Sequence, residues 1–203
     1  MYQISGELFI VYGFLLYLLW KFGSLALKNK RKEAIFIERE SLAVLFVFCF
    51  QLLLAITLFP VSFGVDVKAL SDVKKSINVI PIYSLIKKAF VTQEENHRNA
   101  IFILKYIIRN SGGSIFLFLP LGILAPILYQ KYRSLKRVIL TGFLLAIGIE
   151  VVQLIQILFM GGTHRFDVDD IVFNLVGAAL GYWLVCAVKK YRSNNKHLKE
   201  MEN

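Results

Sequence analysis

Apolar residues in this chain come in long blocks rather than in stripes of period two or 3.6. Five blocks read as membrane helices: Leu8–Leu27, Leu42–Phe59, Ser114–Tyr129, Val138–Met160 and Asp170–Val188. Each is near the roughly 20 residues that cross a ~30 Å hydrocarbon core. The second stops at Pro60. The third holds Pro120 and Pro126, which membrane helices tolerate when neighbours re-satisfy the freed carbonyls. It is short and can borrow residues from Arg109–Gly113. The pattern predicts an all-α, polytopic membrane protein with about five transmembrane helices. One integral domain over 1–203 is expected, with two helices in 1–62 and a basic tail in 189–203.

Between the second and third blocks the pattern changes. Ile82, Leu85, Ile86, Ala89 and Phe90 fall at helical spacing, with Lys87 and Lys88 off that face. This predicts an amphipathic helix lying on the membrane or covering the bundle. Ala100–Ile108 is apolar, and "RNSGG" then predicts a break, which makes this piece re-entrant or interfacial. The first block follows neither a basic n-region nor a small-residue cleavage site, so it is expected to be retained.

A net charge of +10 in a soluble protein would suggest a nucleic-acid partner. Here the chain is 57% hydrophobic and its basic residues flank apolar blocks, so the charge reads as topology and no nucleic acid is expected. Lys28, Lys30, Arg31, Lys32 and Arg39 follow the first block. Lys131, Arg133, Lys136 and Arg137 join the third to the fourth, and Lys189, Lys190, Arg192, Lys196 and Lys199 fill the tail. With an odd number of spans these clusters share one side. Assigning it to the cytoplasm puts the N-terminus outside and the C-terminus inside. Cys49 and Cys186 lie inside apolar blocks and read as packing residues.

Glu150 is the most unusual residue, an ionisable group ten residues from the end of the fourth block. Such groups inside membrane segments are costly and mark functional sites by default. Gln153 and Gln156 follow at about 60° steps round the same helix. On the fifth block Asp170, Asn174, Gly177 and Gly181 share one face, and its lower half is a G-x-x-x-G packing pair. The connection of about nine residues makes the fourth and fifth helices antiparallel neighbours. Glu150, Gln153, Asp170 and Asn174 are therefore expected to line one cleft between them. Arg165, Asp167, Asp169 and Asp170 are expected to form its rim, and Arg109, Asn110 and Glu7 at the outer ends of their own segments could join it. Plainer roles stand beside this one. Asp169 and Asp170 suit a helix N-terminus, Arg165 can pair with Asp167, and His164 fits a solvated loop.

These residues resemble a family signature. "GIEVVQLIQILFMGGTHRFDVDDIVFNLVGAALGY", Gly148–Tyr182, is similar to VanZ-like membrane proteins. Those show Glu-x-x-Gln, then an Arg and Asp cluster, then Asn-x-x-Gly-x-x-x-Gly. Glu150, Gln153, Arg165, Asp167, Asp170, Asn174, Gly177 and Gly181 occupy these positions, with Asp169 added. "GGSIFLFLPLGILAP" resembles the family's Gly-Asn…Phe-x-Pro-x-Gly segment, with Ser114 in place of Asn. "INVIPIYSLI" resembles its Asn-x-x-Pro element, and the likeness covers 77–187. It implies a bacterial plasma membrane protein acting near lipid-linked cell-envelope precursors. The family is associated with reduced susceptibility to teicoplanin-type glycopeptide antibiotics.

Three functions fit. The favoured one is a non-enzymatic protein binding a lipid or lipid-linked precursor headgroup in an outward polar cleft, with no cofactor. The second is an enzyme on lipid substrates, in which Asp167, Asp169 and Asp170, with Glu150 as a further ligand, could hold a hard divalent cation, Asp167 and Asp170 being the first candidates. The third is a transporter using Glu150, although the chain has no internal repeat.

Overall fold

The computed structural model of the chain describes residues 2–63, 77–78, 100–160 and 166–201. Five long helices dominate it: α1 Gly6–Lys30, α2 Ile37–Leu58, α3 Ala100–Leu128, α4 Leu135–Met160 and α5 Val168–Met201. Helices α1, α2, α4 and α5 are each long and apolar enough to cross a membrane. The apolar stretch of α3, Gly112–Leu128, is shorter, about 25 Å of helix. The chain is a polytopic helical membrane protein, as the block pattern predicts. The amphipathic segment expected at 82–90 lies outside the described residues.

α1 and α2 form an antiparallel hairpin. Phe9 stacks on Phe59 near one end, and Phe14 meets Phe48 edge-on midway. Lys21 and Lys28 pair with Glu40 near the other end. α1 closes with a Schellman turn: the Lys32 and Glu33 amides donate to the Asn29 and Lys28 carbonyls, with Lys32 at φ 56°. Two short β pairings accompany the helices. β1 (Tyr2–Ile4) pairs antiparallel with β2 (Val61–Phe63), which ties the start of α1 to the chain leaving α2.

Two sequence expectations are corrected. The predicted break at Arg109–Gly113 is absent, and α3 runs through it without interruption. Each glycine weakens a helix by only about 1 kcal/mol, whereas a break next to apolar surroundings leaves backbone groups unpaired. The stretch 100–110 is therefore the first third of α3 rather than a separate interfacial piece. The fifth helix does not end at Val188 but continues to Met201. The tail has neither Gly nor Pro, and its four lysines and two glutamates favour helix.

α3 and α5 run parallel in close contact. Ser114 meets Asp170 near one end, and Gly122 meets Ala178 further along. α4 returns antiparallel beside them, with Gly142 against Leu175 and Ala178. The core where these helices meet α2 comprises Leu53, Phe118, Leu121, Val138, Ala146, Ile149 and Ala178. At one end of the bundle the Tyr182 hydroxyl donates to the Arg133 carbonyl. Tyr129 lines the same cavity there as Lys21 and Lys28. The three basic regions thus share one end of the bundle. The acidic residues around Asp167 occupy the other.

Candidate functional site

The site begins with the way α5 starts. Asp167 precedes the helix, and its Oδ1 accepts the Asp169 amide at 3.0 Å. That is a side-chain cap on one of the four free N–H groups of a helix N-terminus. Asp169 and Asp170 lie in the first turn, where acidic groups complement the helix dipole. Asp167 thus caps α5, and Asp169 and Asp170 sit at its N-terminus as expected.

The Asp167 backbone amide points the other way and donates to Glu150 Oε2 on α4 at 3.0 Å. Only 2% of Glu150 is exposed. α4 runs ten residues past Glu150, yet the described residue Asp167 lies beside the carboxylate. Asp167, expected at the rim, thus sits against the carboxylate. β4 (Phe166–Asp167) also pairs parallel with β3 (Ile77–Asn78). This places the start of the Asn-x-x-Pro element beside Asp167.

α3 supplies a third wall. The Ser114 hydroxyl donates to Asp170 Oδ1 at 2.8 Å. Asn174, one turn further along α5, is buried, as is Asp169. Ser114 was not among the residues expected to form the cleft. Its signal was positional: it stands where the family pattern places a polar residue ahead of the Phe-x-Pro-x-Gly run. Asn110 lies on α3 one helical turn before Ser114. Arg165 and His164 lie outside the described residues.

Two expected relationships differ. Asp170, Gly177 and Gly181 of the expected face meet α3 rather than α4. A Cβ at Gly177 would overlap the Ile115 backbone, and one at Gly181 the backbone of Leu119 and Ile123. The facing Gly122 is equally close to Ala178. Small residues on both helices let the backbones touch, so sequential neighbours are not the closest pair. Gln153 and Gln156 also turn away from the cleft. Their side-chain amides donate to the Thr57 carbonyl at 2.6 Å and the Leu58 carbonyl at 3.0 Å. These carbonyls belong to the last turn of α2, which has no intrahelical partners for them. The two glutamines therefore terminate α2 and join it to α4.

What remains together is Glu150, Asp167, Asp170 and Ser114, with Asp169 and Asn174 buried beside them on α5, where the start of α5 meets the middles of α3 and α4. Among the described residues, no three His, Cys, Asp or Glu side chains, Asp167 and Asp170 included, are grouped to hold a metal ion. The carboxylates and the hydroxyl make a surface that accepts hydrogen bonds, suited to hydroxyl or ammonium donors.

A family model described as VanZ/LLP1 matches residues 46–189. No curated protein and no solved structure matches the chain. The matched stretch opens in α2, upstream of the motifs quoted above, and takes in every residue of the cleft. By this match the chain belongs to the VanZ/LLP1 family.

Proposed function

We propose that the acid-rich end binds the polar headgroup of a lipid or lipid-linked cell-envelope precursor, on the outer face of a bacterial plasma membrane. The observation that carries this is the burial of Glu150 beneath the start of α5, next to the Asp167 cap and the Ser114–Asp170 pair. A carboxylate buried in a membrane bundle is costly to keep. One hydrogen bond to a backbone amide could be replaced by a neutral side chain, so a ligand role accounts for the acid better than packing does.

The charge chooses the kind of headgroup. Four carboxylates stand on or beside the start of α5: Glu150, Asp167, Asp169 and Asp170. They repel a bare phosphate and accept hydrogen bonds from sugar hydroxyls and amines. A glycosylated or aminated headgroup fits that chemistry. The basic clusters at the opposite end set the orientation, cytoplasmic by the positive-inside tendency, so the acid-rich end opens outward. Reduced susceptibility to teicoplanin-type antibiotics is then a consequence of occupying or masking a surface precursor.

The test is direct. Wild-type protein in nanodiscs is titrated with an undecaprenyl-linked disaccharide precursor and with phosphatidylcholine, and binding is followed by native mass spectrometry. Selective binding of the glycosylated lipid, reduced at least tenfold by Glu150→Gln, is expected. Equal occupancy by both lipids, or no effect of the substitution, overturns the proposal.

A further inference from the structure

The opposite end of the bundle carries a second polar site that the family signature does not touch. A cavity of about 380 Å³ opens between the C-terminal half of α1, the first turns of α2 and the end of α3. Its charged walls are Lys21, Lys28, Arg39 and Glu40, and Phe36 and Tyr129 are among the others. Three cations face one carboxylate, a net of two positive charges.

These charges differ from ordinary basic loop residues. Lys21 lies nine residues before the end of α1, within its apolar run. Its side chain is only 14% exposed and that of Glu40 only 17%. Glu40 accepts both Lys21 and Lys28, the latter at 2.6 Å. The carboxylate therefore fixes two ammonium groups on one wall of the cavity. Each ammonium has three N–H donors, so donors remain for a second acceptor. Arg39 adds a planar guanidinium, the fork that matches a phosphate. Basic pockets between helices on the cytoplasmic side are a recurrent form of lipid headgroup site.

A second observation favours a lipid over a soluble anion. A largely apolar cavity of about 290 Å³ lies one turn deeper along α2 and α3, lined by Phe46, Phe50, Leu121 and Ala125 among others. Tyr129 of the charged cavity contacts Phe46 of the apolar one, with ring centroids 6.2 Å apart. A charged cavity at headgroup depth and an apolar one below it correspond to the two parts of a phospholipid.

We propose that this cavity binds the phosphate of an anionic lipid headgroup, with Lys28 and Arg39 as its principal donors and Lys21 and Glu40 as the scaffold. It is independent of the outward acidic site, being at the other end of the bundle.

The experiment uses full-length protein purified in detergent. Retention of phosphatidylglycerol and of phosphatidylcholine is compared by native mass spectrometry, and inorganic phosphate is titrated separately without lipid. Selective retention of phosphatidylglycerol is expected. It should fall at least tenfold in Lys28→Gln/Arg39→Gln and stay unchanged in Lys136→Gln, an exposed lysine near the same end. Arg39→Gln alone should lower it several-fold with an unaltered circular dichroism spectrum, which separates binding from folding. Equal retention of the two lipids, or no loss in either variant, overturns the proposal. Saturable binding of inorganic phosphate that is lost in the double variant would place a soluble phosphate there and overturn the lipid assignment.

Discussion

The α3–α5 crossing and the α1–α2 hairpin both join two membrane helices, but different chemistry holds them. At the crossing, Gly122, Gly177 and Gly181 bring backbone against backbone. α5 buries Asp169, Asn174, Gly177, Ala178, Gly181 and Val185 along its length. In the hairpin, α1 buries none of its described residues. It touches α2 through aromatic rings, the tips of two lysines, and Gly6 and Gly13 against Ala55 and Gln51, with no overlap as deep as that at Gly177. The acid-rich site sits on the tight pair, where backbone contact fixes the positions of Ser114 and Asp170. The basic cavity sits on the loose pair, where long side chains can adjust to a ligand. The family match begins in α2 and covers the tight pair but not α1.

Substitutions at glycines separate the two regions most sharply. Gly177→Leu drives a side chain into the Ile115 backbone and is expected to cost at least about 3 kcal/mol, read as loss of monodisperse protein on extraction. Gly23→Leu in α1 meets nothing within 4 Å and should change the melting temperature little, within about 0.5 kcal/mol. Equal damage from both would remove the contrast.

Glu150→Leu comes next. It leaves the buried Asp167 amide without its acceptor, which costs about 1–3 kcal/mol. Glu150→Gln keeps an acceptor and should recover most of that stability while still losing the headgroup. Thermal unfolding in detergent compares the pair, and the split between stability and binding is what a purely structural role would not produce. Ser114→Ala removes one hydrogen bond to Asp170, with an expected loss of about 0.5–1.5 kcal/mol. The smallest effect belongs to the hairpin. Lys28→Gln breaks one ion pair of a half-exposed side chain, and less than about 1 kcal/mol is expected by the same assay.

Much of this was legible in the chain itself. Apolar blocks located the helices, because length and composition suffice to identify a membrane span. The face Asp170–Asn174–Gly177–Gly181 was also legible, since helical period alone places those residues in line. Which helix the face meets was not. A short connection favours the sequential neighbour, but close packing depends on small residues on both partners. Gly122 and Ser114 lie some fifty residues upstream of that face. The roles of Gln153 and Gln156 were hidden for a related reason. Their partners are the Thr57 and Leu58 carbonyls, and backbone acceptors leave no mark in a side-chain pattern. The break expected at Arg109–Gly113 failed because local propensity was weighed without the cost of an unpaired backbone in apolar surroundings.

Everything proposed for Glu150 and its neighbours depends on the acid-rich end facing out of the cell. The most direct measurement labels single cysteines with a membrane-impermeant maleimide in intact cells, in a Cys49→Ala/Cys186→Ala background. Arg165→Cys probes the connection from α4 to α5, and Ser134→Cys probes the basic turn between α3 and α4. Labelling at residue 165 and protection at 134 until the cells are permeabilised is the predicted result. Labelling at 134 with protection at 165 would contradict it.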